Sequence, residues 1–214
     1  EGRDYRDFAV LYRTHAQSRV IEDSLRRAGV AYDIVGGVRF YERAEVKDVL
    51  GYLRVIANPD DAVSLGRIIN VPPRKLGQKS VERLEDFAAT QGVSLREALG
   101  RSAEIDGLTP QAGRSLDALA AMFASLEEKV DTEPADAVIR EVLEASGYTI
   151  WLEGQRSDEA AERLANVEEL VSAAAEFAEA SERGDLPAFL EQVALVANID
   201  MWEDRLDAVS LMTL

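Results

Sequence analysis

Apolar positions in the first sixty residues fall into short blocks that predict two strands and two helices. Residues 7–12 are apolar enough for a buried parallel strand, and residues 31–35 predict a second strand. Between them, residues 16–28 place apolar side chains on one helical face. Residues 45–57 show a stronger helical pattern that ends at Asn58-Pro59. This strand–helix–strand order is typical of the right-handed parallel crossover of α/β sheets.

After residue 60 the hydrophobic pattern becomes helical. Asp60 is predicted to cap a short helix that runs through Ile69, and Pro72-Pro73 interrupts the chain. Further helices are predicted at 78–90, 94–100, 110–130, 134–145, 157–182 and 186–197, and a strand-like pattern returns only at 207–214. We therefore expect an α/β fragment with a large all-α inserted domain, mostly helical overall. The predicted units are 1–59, the insertion 60–205, and the truncated return of the first unit at 206–214.

Composition excludes several classes of protein. A hydrophobic content of 47% with 30% charged residues is that of a globular protein, and no apolar run approaches the ~18 residues of a membrane span. The sequence has no cysteine, so disulfides and thiolate chemistry are excluded, and its one histidine, His15, makes a histidine-based metal site improbable. We expect a cytoplasmic protein that does not contact membranes and has no metal site of its own.

The net charge of −16 is unevenly distributed. Residues 1–83 hold 15 Lys and Arg against 12 Asp and Glu, a net charge of +3, whereas residues 84–214 hold 9 against 28, a net charge of −19. Because salt confines each field to about 8–10 Å, a phosphate responds to the local charge and not to the total. The first segment is therefore compatible with nucleic-acid binding.

The segment LYRTHAQSR, residues 11–19, places polar and cationic groups where a strand ends and a helix begins. The carboxyl ends of parallel strands bind ligands in open α/β sheets, and a helix N-terminus offers free N–H groups to a phosphate. The predicted single-strand DNA contacts here are Arg13, Gln17, Ser18 and Arg19. The alternative is that Thr14 caps the helix while the arginines are solvated and His15 is a surface residue.

The segment GGVRFYERAEVKD, residues 36–48, interleaves cations with aromatic residues after two glycines. Bases that stack on aromatic rings contribute roughly 1–3 kcal/mol each, and nearby cations meet the phosphates. We predict further single-strand contacts at Gly36, Gly37, Arg39 and Phe40. The alternative is that Phe40 and Tyr41 belong to the core and the charged residues form an ordinary helix face.

The segment VPPRKLGQKSVERL, residues 71–84, combines a turn that ends in glycine with a helix start rich in cations. Such a turn presents N–H groups and positive charge to a phosphate without reading base sequence. The predicted duplex contacts are Arg74, Lys75, Gly77, Lys79 and Ser80. A turn that only caps the helix is the alternative.

These three segments resemble the second motor core and inserted domain of UvrD/PcrA/Rep-type superfamily 1 DNA helicases. The resemblance is strongest at residues 36–61, and residues 146–174 are similar to a later segment of the inserted domain, in which we expect Arg163 and Asn166 to fix helices by hydrogen bonds. The sequence departs from the family pattern in three segments: His15 replaces a usual Asn, Arg74-Lys75-Leu76-Gly77 replaces Arg-Gly-Ile-Gly, and Ala165 stands where an acidic residue is common.

The resemblance implies part of a RecA-like core (2A) at 1–59 and 206–214 and the 2B domain between them. It also implies an ATP-dependent 3′→5′ helicase or translocase of DNA repair or replication, acting on duplexes with a 3′ single-stranded tail. The partners would be the missing helicase cores and repair or transcription proteins. Motor closure would move single-stranded DNA past residues such as Arg39, and swivelling of the inserted domain would regulate unwinding.

The chain contains no Gly-x-x-x-x-Gly-Lys-Ser/Thr sequence, so the phosphate-binding loop for ATP is missing. We expect no cofactor in this fragment, with ATP and Mg in the parent enzyme, and no hydrolysis or unwinding by the chain alone. A rival hypothesis is a non-enzymatic, acidic helical module that docks protein partners. The two hypotheses differ in whether the cations at 74–83 are exposed or are neutralised by Glu82, Glu85 and their neighbours. A free-standing α/β enzyme is disfavoured because no nucleophile–base or metal constellation is visible.

Overall fold

The computed structural model describes residues 3–199 and 207–213, and this part of the chain is mostly helical with a small parallel sheet. The first unit contains β1 (Ala9–Tyr12), α1 (Ser18–Arg27), β2 (Tyr32–Ile34) and α2 (Ala44–Ala57). The helices that follow are α3 (Ala62–Ile68), α4 (Gln78–Gln91), α5 (Leu95–Leu99), α6 (Pro110–Glu127), α7 (Ala135–Ser146), α8 (Tyr148–Gly154), α9 (Asp158–Ala180) and α10 (Leu186–Ile199). The last strand is β3 (Val209–Thr213).

The sheet has the strand order β1-β3-β2, and both pairings are parallel. Ala9 lies opposite Ser210 on one side of β3, and Tyr32 lies opposite Val209 on the other. The predicted parallel arrangement of the first two strands is confirmed, although β3 separates them. The predicted return of the strand pattern is confirmed at Val209–Thr213; Leu214 and the predicted domain limit at 205/206 lie outside the described residues.

The described residues form two hydrophobic cores. The sheet core is formed by Tyr12, Tyr32, Ile34, Val209 and Leu211, with side chains of α1 packed against it. The much larger helical core runs from Phe40 to Val193 and includes the apolar face of α2. Because α2 packs on α3, α7 and α9, no break in packing marks residue 59, and the predicted limits of the two domains stay a prediction.

Most predicted helices are confirmed to within a few residues, and two details differ. The N-cap of α3 is Asp61, not Asp60, because the Asp61 carboxylate accepts the Ser64 N–H at 2.9 Å. The short helix α8 was not predicted. It begins directly after Gly147, whose left-handed backbone (φ 70°) ends α7, so two helices meet at one residue.

Candidate nucleic-acid interface

The segment 11–19 forms the turn between β1 and α1. Arg13 is exposed, and residues His15–Gln17 form a single 3₁₀ turn before the helix. The Gln17 side-chain oxygen accepts the backbone N–H groups of Arg13 (3.0 Å) and Thr14 (3.3 Å). Gln17 thus occupies two backbone N–H groups of this turn that could otherwise have bound a phosphate. The Arg13 side chain remains at the surface.

Arg19 is buried, with only 4% of its surface exposed, and it is surrounded by carboxylates. Its guanidinium donates to Asp23 at 3.1 Å within α1, and to Glu169 and Glu176 (3.1 Å) of α9. Burial lowers the pKa of Arg19, but the bonds with Glu169 and Glu176 outweigh this effect and raise it. The side chain therefore joins α1 to α9.

Ser18 is also buried and belongs to a second polar cluster under the same turn. Its hydroxyl donates to Glu22 at 2.5 Å and accepts from the Arg43 guanidinium at 2.5 Å. Arg43 in turn donates to the Asn166 amide oxygen at 2.7 Å, and the Asn166 amide nitrogen donates to Glu45 at 2.6 Å. Burial lowers the pKa of Arg43. We call these five residues the Arg43 cluster; it ties α1, α2 and α9 together.

The glycine pair lies beside the same turn. Gly36 has a left-handed backbone (φ 76°), and a Cβ atom on Gly37 would lie 3.1 Å from the Ile34 side chain and 3.2 Å from the His15 ring. Both glycines are exposed, so the backbone there is open to an approaching chain.

Two cations of residues 36–48 contact aromatic rings of the protein itself. The Arg39 guanidinium lies 5.3 Å from the centre of the Tyr32 ring, and the Arg43 guanidinium lies 5.2 Å from the Phe40 ring. Phe40 is 1% exposed and part of the helical core. A base could therefore stack on Phe40 only after this packing had opened.

A cleft of about 220 Å³ connects the two predicted single-strand segments with α9. It is lined by His15, Gly37 and Arg43 together with Glu162 and Asn166 of α9. His15 Nε2 lies 3.6 Å from Glu162. The lining mixes cations (Arg43, Arg163) with carboxylates (Glu45, Glu159, Glu162), which makes the cleft less basic than the sequence suggested.

Helix α9 supplies partners that sequence reasoning largely missed. Asn166 was predicted to fix helices and does so, whereas Arg163 donates within α9 to Glu159 at 2.7 Å and, among the described residues, bonds to no second helix. Glu162, Asn166, Glu169 and Glu176 recur at three- to seven-residue spacing on one helix face. That polar stripe is the signal that could have revealed the contact, although further charged residues of α9, such as Glu168, lie outside it.

The turn at 72–77 leads into α4. Lys75 is exposed and adopts a left-handed backbone (φ 59°), and Gly77 is the exposed N-cap of α4. Lys79 is exposed in the first turn of α4, and the Ser80 N–H donates to the Gly77 carbonyl at 2.8 Å. The Arg74 guanidinium points inward and bonds to main-chain carbonyls.

The acidic neighbours do not neutralise the two lysines. Within residues 3–199 and 207–213, neither Lys75 nor Lys79 has a carboxylate within 4.0 Å. Glu82 accepts from Gln78 at 2.8 Å, and Arg83 donates to the Gly107 carbonyl. Lys75 and Lys79 therefore form an exposed basic site around the start of α4, which we call the α4 site.

The described residues do not fit a magnesium–nucleotide site on their own. The sequence lacks the phosphate-binding loop, and in the described part of the chain no group of three or more His, Cys, Asp or Glu side chains is placed to hold a metal ion. No helix among residues 3–199 is both long and apolar enough to cross a bilayer.

The chain belongs to the family of UvrD-like helicase C-terminal domains, whose model matches residues 1–214. This agrees with the resemblance seen in the three sequence segments. The ATP-dependent DNA helicase PcrA of Bacillus subtilis (strain 168) is 40% identical over 218 residues, which cover 99% of this chain and 29% of that protein. The ATP-dependent DNA helicase PcrA of Staphylococcus aureus (strain Mu50) is 39% identical over 215 residues, covering 100% of this chain and 29% of that protein. The chain thus spans less than a third of the length of these relatives.

Proposed function

We propose that the chain is the DNA-contacting part of an ATP-dependent DNA helicase that moves 3′→5′ along single-stranded DNA in repair or replication. Residues 1–59 and 206–214 would belong to the second motor core, and residues 60–205 would form the inserted domain. ATP, magnesium and the remaining core would come from the rest of the full-length, cytoplasmic protein. Family membership and the names of the relatives support the helicase class.

The observation that carries the DNA-binding proposal is the α4 site. Two lysines without acidic partners flank the N-terminus of a 14-residue helix, whose first N–H groups carry a partial positive charge. A duplex phosphate between Lys75 and Lys79 would meet both cations and the backbone N–H groups of Gln78 and Lys79, the first two residues of α4. Such contacts bind the backbone of any sequence, as an unwinding enzyme requires.

On the single-strand side, we propose that DNA passes the exposed Arg13 and the backbone of Gly36 and Gly37. The buried groups predicted here, Ser18, Arg19 and Phe40 among them, would hold that surface in place through the Arg43 cluster and the contacts of α9. Arg39, whose guanidinium lies over the Tyr32 ring, would take part both in contacting DNA and in holding that surface in place.

The test is fluorescence anisotropy of the chain with a labelled duplex that carries a 3′ single-stranded tail, titrated with salt. We expect Lys75→Ala/Lys79→Ala to weaken binding and to make the slope of log K against log salt shallower by roughly 1.8, about 0.9 for each lost phosphate contact. The control is Lys47→Ala/Lys129→Ala, which changes the net charge by the same two units away from the α4 site.

Equal losses in both double variants would mean that only total charge matters and would contradict the α4 site. An absence of binding even at low salt would favour the rival role, in which the acidic helices of residues 84–214 dock protein partners. That role rests on their net charge of −19.

A further inference from the structure

Arg74 is the most heavily bonded side chain of the 72–77 turn. Its Nη1 lies within hydrogen-bonding distance of the carbonyls of Ile68 (3.0 Å), Ile69 (3.3 Å) and Pro72 (3.2 Å). Its Nη2 donates to the Tyr52 hydroxyl, whose ring centre lies 5.6 Å from the guanidinium carbon. Because Ile68 and Ile69 stand at the end of α3, Arg74 bonds to carbonyls of the last helical turn, of which the Ile68 carbonyl also accepts the Val71 N–H at 3.1 Å.

The backbone around Arg74 is held from two further sides. The Asn70 side chain accepts the Arg74 N–H at 2.7 Å and donates to the Leu76 carbonyl at 3.0 Å, so it spans the turn. Ser115, on α6, donates its hydroxyl to the Arg74 carbonyl at 2.9 Å. The Tyr52 hydroxyl of α2 donates to the Val71 carbonyl at 2.6 Å.

These bonds fix the residues on both sides of Lys75. A left-handed backbone is unfavourable for lysine and persists only where the surroundings determine it. Here the Arg74 carbonyl and the Leu76 carbonyl, which flank Lys75 along the chain, are each bonded to a side chain. The exposed Lys75 is consequently presented from a turn that is anchored to α2, α3 and α6.

We propose that Arg74 is a positioning residue for duplex binding and not itself a phosphate contact. With Asn70 and Ser115 it holds Lys75 and the start of α4 in one arrangement before DNA arrives, which removes an ordering cost from binding. The inference rests on the proposed function of the α4 site, and it assigns Arg74 a role different from that of its lysine neighbours.

The chemistry of the guanidinium explains why arginine is needed. The planar guanidinium carries five N–H donors and can reach several carbonyls and the Tyr52 hydroxyl together, whereas a lysine ammonium is a compact point charge. Arg74→Lys keeps the charge and removes this planar set of donors. A phosphate contact would tolerate this change, because lysine also binds phosphates; a positioning residue would not.

The experiment is a double-variant cycle that measures affinity for the 3′-tailed duplex at 0.1 M salt. In the otherwise unchanged chain, Lys75→Ala should weaken binding by up to roughly eightfold, the loss of one phosphate contact. In the Arg74→Lys background the same change should cost less than about twofold, because Lys75 is no longer held in place. Circular dichroism of each variant establishes that it is folded.

Ser115→Ala supplies a second background that changes no charge, for use if Arg74→Lys does not fold. It should weaken duplex binding by roughly two- to fivefold, as for one lost hydrogen bond. Its matched control is Ser172→Ala, which removes an exposed hydroxyl that bonds to the Glu168 carbonyl on α9 and should leave binding unchanged.

The two ways of failing can be told apart. If Lys75→Ala costs the same in every background, the positioning role is refuted while the duplex contact stands. If Lys75→Ala has no effect even in the unchanged chain, the duplex contact proposed for the α4 site is itself refuted.

Discussion

Replacing Lys75 by glycine should make the chain more stable and, at the same time, a weaker duplex binder. The φ angle of 59° at Lys75 lies in the left-handed region, which costs a residue with a side chain about 1–2 kcal/mol. Glycine adopts this backbone freely, although its greater freedom in the unfolded chain removes about 0.4–1 kcal/mol of the gain. The expected net gain in the free energy of unfolding is about 1 kcal/mol.

Lys75→Ala separates backbone conformation from charge. Alanine lacks the ammonium group, as glycine does, but keeps the unfavourable left-handed backbone. Both variants should therefore lose up to roughly eightfold in duplex affinity at 0.1 M salt. Only the glycine variant should gain stability, which urea unfolding followed by circular dichroism would measure as an increase in the midpoint concentration.

Lys79→Gly is the matched control, because Lys79 lies inside α4. There the same substitution removes the same charge but places glycine in a helix, so it should destabilise the chain by up to about 1 kcal/mol. If Lys75→Gly were no more stable than Lys75→Ala, the turn would not have the left-handed backbone described. If it bound the duplex as well as the unchanged chain, the charge of Lys75 would not contact DNA.

Three further predictions concern stability and use the same unfolding assay. Asp61→Ala should cost about 1 kcal/mol at pH 7 through loss of the α3 cap. Burial raises the pKa of Asp61, but the hydrogen bonds that its carboxylate accepts lower the pKa overall. Its contribution to the free energy of unfolding is therefore complete above about pH 4 and is lost as the pH falls through the lowered pKa. Asp61→Asn should remove this acid sensitivity. Tyr148→Phe should cost about 1.5–3 kcal/mol, because the buried hydroxyl donates to the Asp48 carboxylate at 3.0 Å; a change below about 0.5 kcal/mol, the smallest net contribution of a hydrogen bond, would contradict this. Asn166→Ala should cost roughly 2–4 kcal/mol, since it leaves the buried Arg43 guanidinium without one partner, and an unchanged midpoint would show that the Arg43 cluster does not hold α9 in place.

Local sequence patterns were sufficient to predict most helices and to indicate all three strands. The pattern of apolar faces, together with Gly and Pro stops, predicted the helix at 78–90, and the structure has Gln78–Gln91. The helix α8 was missed because Gly147 indicates where a helix ends but not that another begins at the next residue. The position of β3 between β1 and β2 was also beyond reach, because strand order depends on contacts between distant parts of the chain.

The candidate site was harder to predict because its cations find partners far away in sequence. Nothing near Arg19 indicates that it will be buried: its partners Glu169 and Glu176 lie 150 and 157 residues further on. Arg74 has partners within a few residues, but they are main-chain carbonyl oxygens, which every residue has and which a sequence pattern therefore does not distinguish. The exposure of Lys75 and Lys79 was left open by the sequence, because Glu82 lies three residues after Lys79, a spacing that allows an ion pair within a helix.

The place of β3 in the sheet has a consequence for the order in which the chain folds. Among the residues that the structure describes, β1 and β2 are joined through Val209–Thr213, so neither has this sheet partner until that segment has been synthesised. At about 5–20 residues per second, the ribosome needs roughly 10–40 s to pass from Ala9 to Ser210. The helices, whose contacts are more local, can pack during that time. Pairing of β1 and β2 with β3 is therefore a late step in the folding of this chain. Until then β1 and β2 have unpaired edges, and these are the segments of the nascent chain that would need protection from aggregation.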